Sequence, residues 1–252
     1  MTAPGRITAL AAALSCLALG SPAPAAAPGA EVTGVTLAPT AVAFADLAHY
    51  AAANRALAAA ARGAPRVVFL GDSITQAWGE LQHDYFARTD RINRGISGQA
   101  TPQMLLRFRA DVVALHPAVV HILAGTNDIA GNVGPMDLGV TEENISSMVD
   151  LAQANRIAVV LGSVLPATDY PWRSGQEPGP KILALNDWLK RYASERHLVF
   201  VDYYSALTDG ALGIRRTFAP DGVHPSLAGY EVMLPLAETG ISAALRATKR
   251  RR

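Results

Sequence analysis

A chain of 252 residues is long enough for one domain of ordinary to large size. Half its residues are hydrophobic and 17% are charged, which supplies a large core and excludes disorder over most of its length. The formal net charge of +1 argues against nucleic acid as a partner, because phosphate neutralisation requires a basic face.

Residues 1–25 read as a secretory signal. Arg6 gives a positive start and Ile7 to Leu19 an apolar stretch. Ala23-Pro24-Ala25 and Ala25-Ala26-Ala27 are small-residue cleavage candidates, with the cut expected after Ala25 or Ala26 and a secreted or periplasmic product. A membrane span needs about 20 apolar residues, and Pro22, Pro24 and Pro28 interrupt the continuation, so no stable membrane insertion is expected after cleavage. Cys16 is the sole cysteine and would leave with the signal, so the mature chain would have neither a disulfide nor a thiolate metal site.

From Glu31 to Thr40 the chain reads as extended, and Val42 to Ala61 as one alanine-rich helix stopped near Gly63, together an N-terminal extension over 31–64. Residues 65–248 form the expected main domain. Its apolar runs, Val67 to Leu70, Val119 to Leu123, Ile157 to Leu161 and Leu198 to Val201, with a shorter one at Arg91-Ile92-Asn93, have the near-continuous apolarity of strands buried on both faces. Between them, Thr101-Pro102 reads as a cap followed by a helix-opening proline, with Leu105, Phe108 and Val112 at helical spacing. Thr141-Glu142-Glu143 reads as another helix start, and Ile182, Leu185, Leu189 and Tyr192 stripe a helix from Pro180 to Glu195. A last helix from Ser226 to Leu245 contains Pro235, where a kink or break is expected. Lys249 to Arg252 form a basic, solvated tail. Strands alternating with helices predict an α/β fold, a three-layer α/β/α sandwich around a mostly parallel five-stranded sheet.

Four polar motifs follow these strands, and in a parallel sheet the loops after the strand ends share one edge. Gly71-Asp72-Ser73-Ile74-Thr75 offers a hydroxyl, although Ser73 read alone is equally a helix cap. Asp221-Gly222-Val223-His224-Pro225 places a carboxylate three residues before an imidazole, close enough to hold one ring nitrogen and leave the other for Ser73. The bland alternative is an Asp-Gly turn before a proline-led helix. Asn93-Arg94-Gly95-Ile96-Ser97-Gly98 and Gly125-Thr126-Asn127-Asp128 offer a glycine N–H and a carboxamide for an oxyanion, or else a positive-φ glycine and a turn asparagine. Each reading is weak alone; the set is the parts list of serine acyl transfer. Asp72, Tyr170 and Trp172 are further candidates for substrate contact, with Leu165 to Trp172 and Leu212-Gly213-Ile214 as expected pocket borders. No G-x-S-x-G elbow, G-x-G-x-x-G loop, phosphate-cradling P-loop or H-E-x-x-H helix is present, and nothing in the sequence calls for a metal or cofactor.

From about Val67 to Leu245 the chain resembles the SGNH hydrolases, the GDSL-type esterases and lipases. The resemblance implies a flavodoxin-like sandwich, Ser73 as nucleophile, Asp221 and His224 as acid and base, and an oxyanion hole of the Ser73 N–H, the Gly98 N–H and the Asn127 amide. Ile74 departs from the family's usual leucine, and Gln99 stands where many members carry an acid. It further implies a carboxylic ester hydrolase working without a cofactor on small-molecule or polysaccharide acyl esters; the sequence shows no long lid-like insertion, which favours short-chain acyl or O-acetyl groups. An acyltransferase passing acetyl to a carbohydrate, or a lipase or thioesterase for longer chains, are the alternatives the same residues allow.

Overall fold

Parallel strands buried on both faces need helices above and below, and that requirement organises the molecule. A computed structural model describes residues 41–59, 64–88 and 90–250; the signal and the extended lead-in fall outside them. Two short helices come first, α1 (Ala41–Ala45) and α2 (Ala51–Ala59). They are followed by β1 (Val67–Gly71), α3 (Ser73–Leu81), α4 (His83–Phe86), β2 (Arg91–Gly95) and α5 (Thr101–Asp111). A 3-10 turn at Val113–Leu115 leads into β3 (Val119–Leu123), α6 (Thr126–Ala130), α7 (Leu138–Ala154) and β4 (Ala158–Gly162). The chain continues through α8 (Pro178–Glu195), β5 (Val199–Val201), α9 (Tyr203–Leu207) and α10 (Leu227–Arg250). Among the described residues no helix is long and apolar enough to cross a membrane.

The sheet order is β2-β1-β3-β4-β5, and every pairing is parallel. Side chains alternate between its faces with the two-residue period of a strand. Val68, Leu70, Val120, Ile122, Val159 and Leu161 pack beneath α5, α7 and α8 with Phe108, Met148 and Leu185. Val67, Phe69, Val119 and Val160 meet Trp78 of α3 and Tyr230, Met233 and Ile241 of α10 on the other face. Each such fully buried large side chain contributes about 1.5–3 kcal/mol. Because β1 connects to β2 on one side and the chain then crosses back to β3, the topological switch lies between β1 and β3. In open parallel sheets ligands bind outside the carboxyl ends of the strands at such a point.

Several expected boundaries move, each for a local reason. The single helix predicted over Val42–Ala61 is two helices within the described part. Asp46 takes φ +51, and Gln103 and Gln99 of the neighbouring segment capture the terminal carbonyls of Phe44 and Ala45 at 2.8 and 3.0 Å. β2 runs through Asn93-Arg94-Gly95, so half of that motif is strand rather than loop. Thr101 is not the cap of α5: Ala100 holds that place, its N–H bonded to Gln103 Oε1 at 3.0 Å, while the Thr101 hydroxyl bonds Asp128. α7 begins at Leu138, capped by Asp137, whose Oδ1 accepts from Gly139 N at 2.7 Å, and Thr141 is buried inside its first turn. α8 starts at Pro178. α10 runs unbroken through Pro235 and reaches Lys249 and Arg250, so the basic end begins as helix. An interior proline costs about 3 kcal/mol, which the burial of Tyr230, Met233, Ala237, Ile241 and Ala244 along one face of α10 outweighs.

Candidate active site

The carboxyl end of β1 delivers Gly71, and the next two residues divide the work. Asp72 caps α3, its Oδ1 accepting from Ile74 N at 2.9 Å. Ser73 is thereby spared the capping role and opens the helix with its hydroxyl 3.0 Å from His224 Nε2. His224 Nδ1 lies 2.7 Å from Asp221 Oδ2. The other oxygen, Asp221 Oδ1, accepts from Val223 N at 2.9 Å and His224 N at 2.8 Å, which locks the carboxylate within its own turn. Partial burial pushes the Asp221 carboxyl up. The His224 ring and the two backbone N–H groups more than offset this and hold it below the ordinary range. Asp72 goes the other way: burial drives its carboxyl up to about 7, against the lowering effects of Ile74 N–H and nearby His224.

The loops after β2 and β3 carry the other two candidates, Gly98 and Asn127. Gly98 sits at φ +77, a conformation glycine adopts without strain, and among the described residues its N–H has no protein acceptor. Asn127, on the one-turn α6, is buried; its Nδ2 donates to Gln99 O at 3.0 Å and its Oδ1 accepts from Asn132 Nδ2 at 2.7 Å. Asn132 Nδ2 also donates to Gly98 O at 3.2 Å, and Asn132 Oδ1 accepts from Trp172 Nε1 at 3.0 Å. Of the three candidates for substrate contact, Asp72 and Tyr170 are buried and Trp172 alone is exposed. Tyr170 supports the indole of Trp172 from beneath, with ring centroids 5.1 Å apart, and that indole lies 5.7 Å from the His224 ring. Of the other predicted border, Ile214 is in the core and Leu212 lies against Gly179 of α8.

The GDSL-like Lipase/Acylhydrolase family model matches residues 69–232, a span that begins in β1 and ends in α10 and takes in all four motifs. The chain belongs to this family. As a GDSL-like acylhydrolase it is similar to a GDSL-like lipase of known structure from Bacteroides thetaiotaomicron. The identity is 43%, with 80% of this chain and 99% of the other covered and a TM-score of 0.76. It is 26% identical over 206 residues to an acetylxylan esterase from Geobacillus stearothermophilus, covering 67% of this chain and 90% of the relative. It is 25% identical over 184 residues to esterase TesA of Pseudomonas aeruginosa, covering 68% and 85%. The protein is a carboxylic ester hydrolase.

Two supporting residues of this GDSL-like hydrolase escape a reading of the sequence. Arg107 looks like half of a surface pair with Asp111, four residues on, but it is fully buried and joins the ends of two strands to a site loop. Its guanidinium donates to Gly71 O at 2.9 Å, Arg94 O at 2.8 Å, Gln99 Oε1 at 2.6 Å and Asp111 Oδ2 at 3.0 Å. Four acceptors arranged around a planar fork suit arginine and not lysine. The sequence signal was its place between Met104 and Phe108 on the apolar face of α5. Asn132 carried a weaker signal, a polar residue just past the glycine that ends a five-residue helix. A cavity of about 500 Å³ lies at the opposite, amino-terminal edge of β4 and β5, lined by Arg156, Val159, His197 and Ala244, away from all of these groups.

Proposed function

We propose that this hydrolase is an exported serine esterase that removes short acyl groups, O-acetyl foremost, from a carbohydrate or another small alcohol. The observation carrying this reading is the continuous chain from Ser73 Oγ to His224 Nε2 at 3.0 Å and from His224 Nδ1 to Asp221 Oδ2 at 2.7 Å. As Ser73 Oγ bonds to the ester carbonyl carbon, His224 Nε2 takes its proton, and Asp221 stabilises the imidazolium that forms. The carbonyl oxygen becomes an oxyanion, held by the N–H of Ser73, the N–H of Gly98 and the hydrogen of Asn127 Nδ2 not bonded to Gln99 O. The tetrahedral species collapses, the C–O bond to the alcohol breaks, and the alcohol leaves with the proton from Nε2. Water then gives a proton to Nε2, adds to the acyl carbon and releases the acid, returning Ser73 Oγ its hydrogen.

The acetyl preference draws support from the acetylxylan esterase relative, and the exposed Trp172 beside His224 offers an aromatic face where the leaving alcohol must sit. Export draws support from the signal-like segment 1–25. A nitrophenyl ester series from acetyl to palmitoyl, run beside acetylated xylan, is expected to show kcat/KM falling by at least about tenfold from the shortest to the longest chain. One pocket methylene shifts discrimination by roughly 10–200-fold where it is read. A series that rises with chain length would make the protein a lipase or thioesterase instead. Products that carry acetyl on an added sugar acceptor would make it a transferase.

Asn127→Ala is expected to lower kcat by roughly 10²–10³ with the same acetyl ester, the loss seen when one oxyanion donor is removed. A change below about threefold would return Asn127 to the role of a turn residue.

A further inference from the structure

A carboxamide is nearly symmetric in shape, so an oxyanion donor of this kind is useful only if something forces its nitrogen, not its oxygen, toward the reacting centre. We propose that Asn132 and Trp172 are positioning residues that fix the direction of the Asn127 amide. The inference rests on the reading of Asn127 as an oxyanion donor, and it names what makes that donor dependable.

The chain of bonds runs one way. The indole Nε1–H of Trp172 can donate and cannot accept, and it donates to Asn132 Oδ1 at 3.0 Å. That assigns Nδ2 of Asn132 to the far side, where its two hydrogens are used on Asn127 Oδ1 at 2.7 Å and Gly98 O at 3.2 Å. With its oxygen taken, Asn127 presents Nδ2, one hydrogen of which goes to Gln99 O at 3.0 Å. The second hydrogen has no acceptor among the described residues and is the one left for an oxyanion. Rotating either amide by half a turn would oppose oxygen to carbonyl oxygen on one side and N–H to N–H on the other, in surroundings where Asn127 is buried and unpaired groups are costly. The anchor is rigid for a surface residue, because the indole is stacked on the fully buried Tyr170. Asn132 also holds the carbonyl of Gly98, so one side chain steadies two of the three proposed donors. This geometry gives Trp172 a second function. Its ring faces His224 while its N–H holds Asn132, so the two halves of the site are built on one side chain.

The test is a double-mutant cycle on kcat for acetyl ester hydrolysis, with melting temperature followed in parallel. Asn132→Ala is expected to lower kcat by about 10- to 30-fold with KM within about twofold, since an interaction made in the transition state alone leaves ground-state binding untouched. In an Asn127→Ala background the same change is expected to cost less than about threefold, because most of its effect passes through Asn127 and only the hold on the Gly98 carbonyl is left to lose. Asn132→Asp should lose more than Asn132→Ala, since a carboxylate faces both Asn127 Oδ1 and the Gly98 carbonyl with no hydrogen to offer. Trp172→Phe keeps a ring beside His224 and on Tyr170 but removes the N–H. It should lower kcat by about 3- to 10-fold and add nothing to Asn132→Ala, and it carries the test should an Asn132 variant fail to fold. Full multiplication of the Asn127→Ala and Asn132→Ala losses would overturn the proposal while leaving Asn127 as donor. An Asn127→Ala enzyme of near-normal kcat would remove the donor reading itself.

Discussion

Ser73→Ala is expected to abolish labelling by a fluorophosphonate probe and to lower kcat for acetyl esters by roughly 10⁴–10⁶, the scale on which serine hydrolases lose their nucleophile. The Ser73 hydroxyl stands 3.0 Å from His224 Nε2, and no second hydroxyl is bonded to that nitrogen among the described residues. The residual rate should come from the proposed oxyanion donors, which the substitution leaves in place: the Ser73 N–H belongs to the backbone, and Gly98 and Asn127 are untouched. The fold should survive. Asp72, not Ser73, satisfies the first turn of α3 through Ile74 N, so the stability change is expected within about 0.5 kcal/mol. A folded Ser73→Ala protein that still takes the probe would place the nucleophile elsewhere and dismantle the proposed mechanism.

Asp221→Asn is the second large effect, with kcat expected to fall by about 10⁴. The reason is a matter of which atom goes where. Asp221 Oδ1 accepts two backbone N–H groups, from Val223 and His224, and an asparagine will keep its oxygen there. Its NH₂ must then face His224 Nδ1, where Asp221 Oδ2 now accepts at 2.7 Å. A donor at that position forces Nδ1 to be the unprotonated nitrogen and puts the imidazole hydrogen on Nε2, pointing at Ser73. Such a tautomer cannot take the Ser73 proton. The carboxylate also keeps its charge into acid solution, since the His224 ring and the backbone N–H groups hold Asp221 below the ordinary range despite partial burial. Combining Asp221→Asn with Ser73→Ala should cost little beyond Ser73→Ala alone, because the two act as one unit. A loss smaller than about tenfold for Asp221→Asn would show that the ring is oriented by something else, with Trp172 the nearest aromatic neighbour available.

Asp72 shows how neighbouring carboxyls in one site diverge. Buried at the cap of α3, it is driven up to about 7, whereas Asp221, partly exposed and supplied with three donors, is driven down. Its burial also removes Asp72 from the surface a substrate could touch. The same holds for Tyr170, whose contribution is to carry Trp172.

Local pattern placed the five strands and the main helices between them, though not their exact bounds, and set the four motifs near the strand ends. Apolar runs such as Val67 to Leu70 and Val119 to Leu123 have little alternative to a doubly covered parallel sheet, and such a sheet brings the loops after β1, β2 and β3 to one edge. The spacing of Asp221 and His224 within one turn is likewise short-range and was readable. What depended on distant partners was not. Thr101 and Thr141 look like helix starts but their hydroxyls serve the buried Asp128, and Pro235 sits inside an unbroken helix because an entire face of α10 is buried. Arg107 pairs with carbonyls at the ends of β1 and β2, and Asn132 with Trp172 forty residues onward; neither link leaves a trace in local periodicity. Chemistry-bearing residue types follow from the chain's own pattern. Their orientation comes from hydrogen bonds that close only when segments remote in sequence pack together, since a buried donor or acceptor takes whatever partner the fold puts beside it.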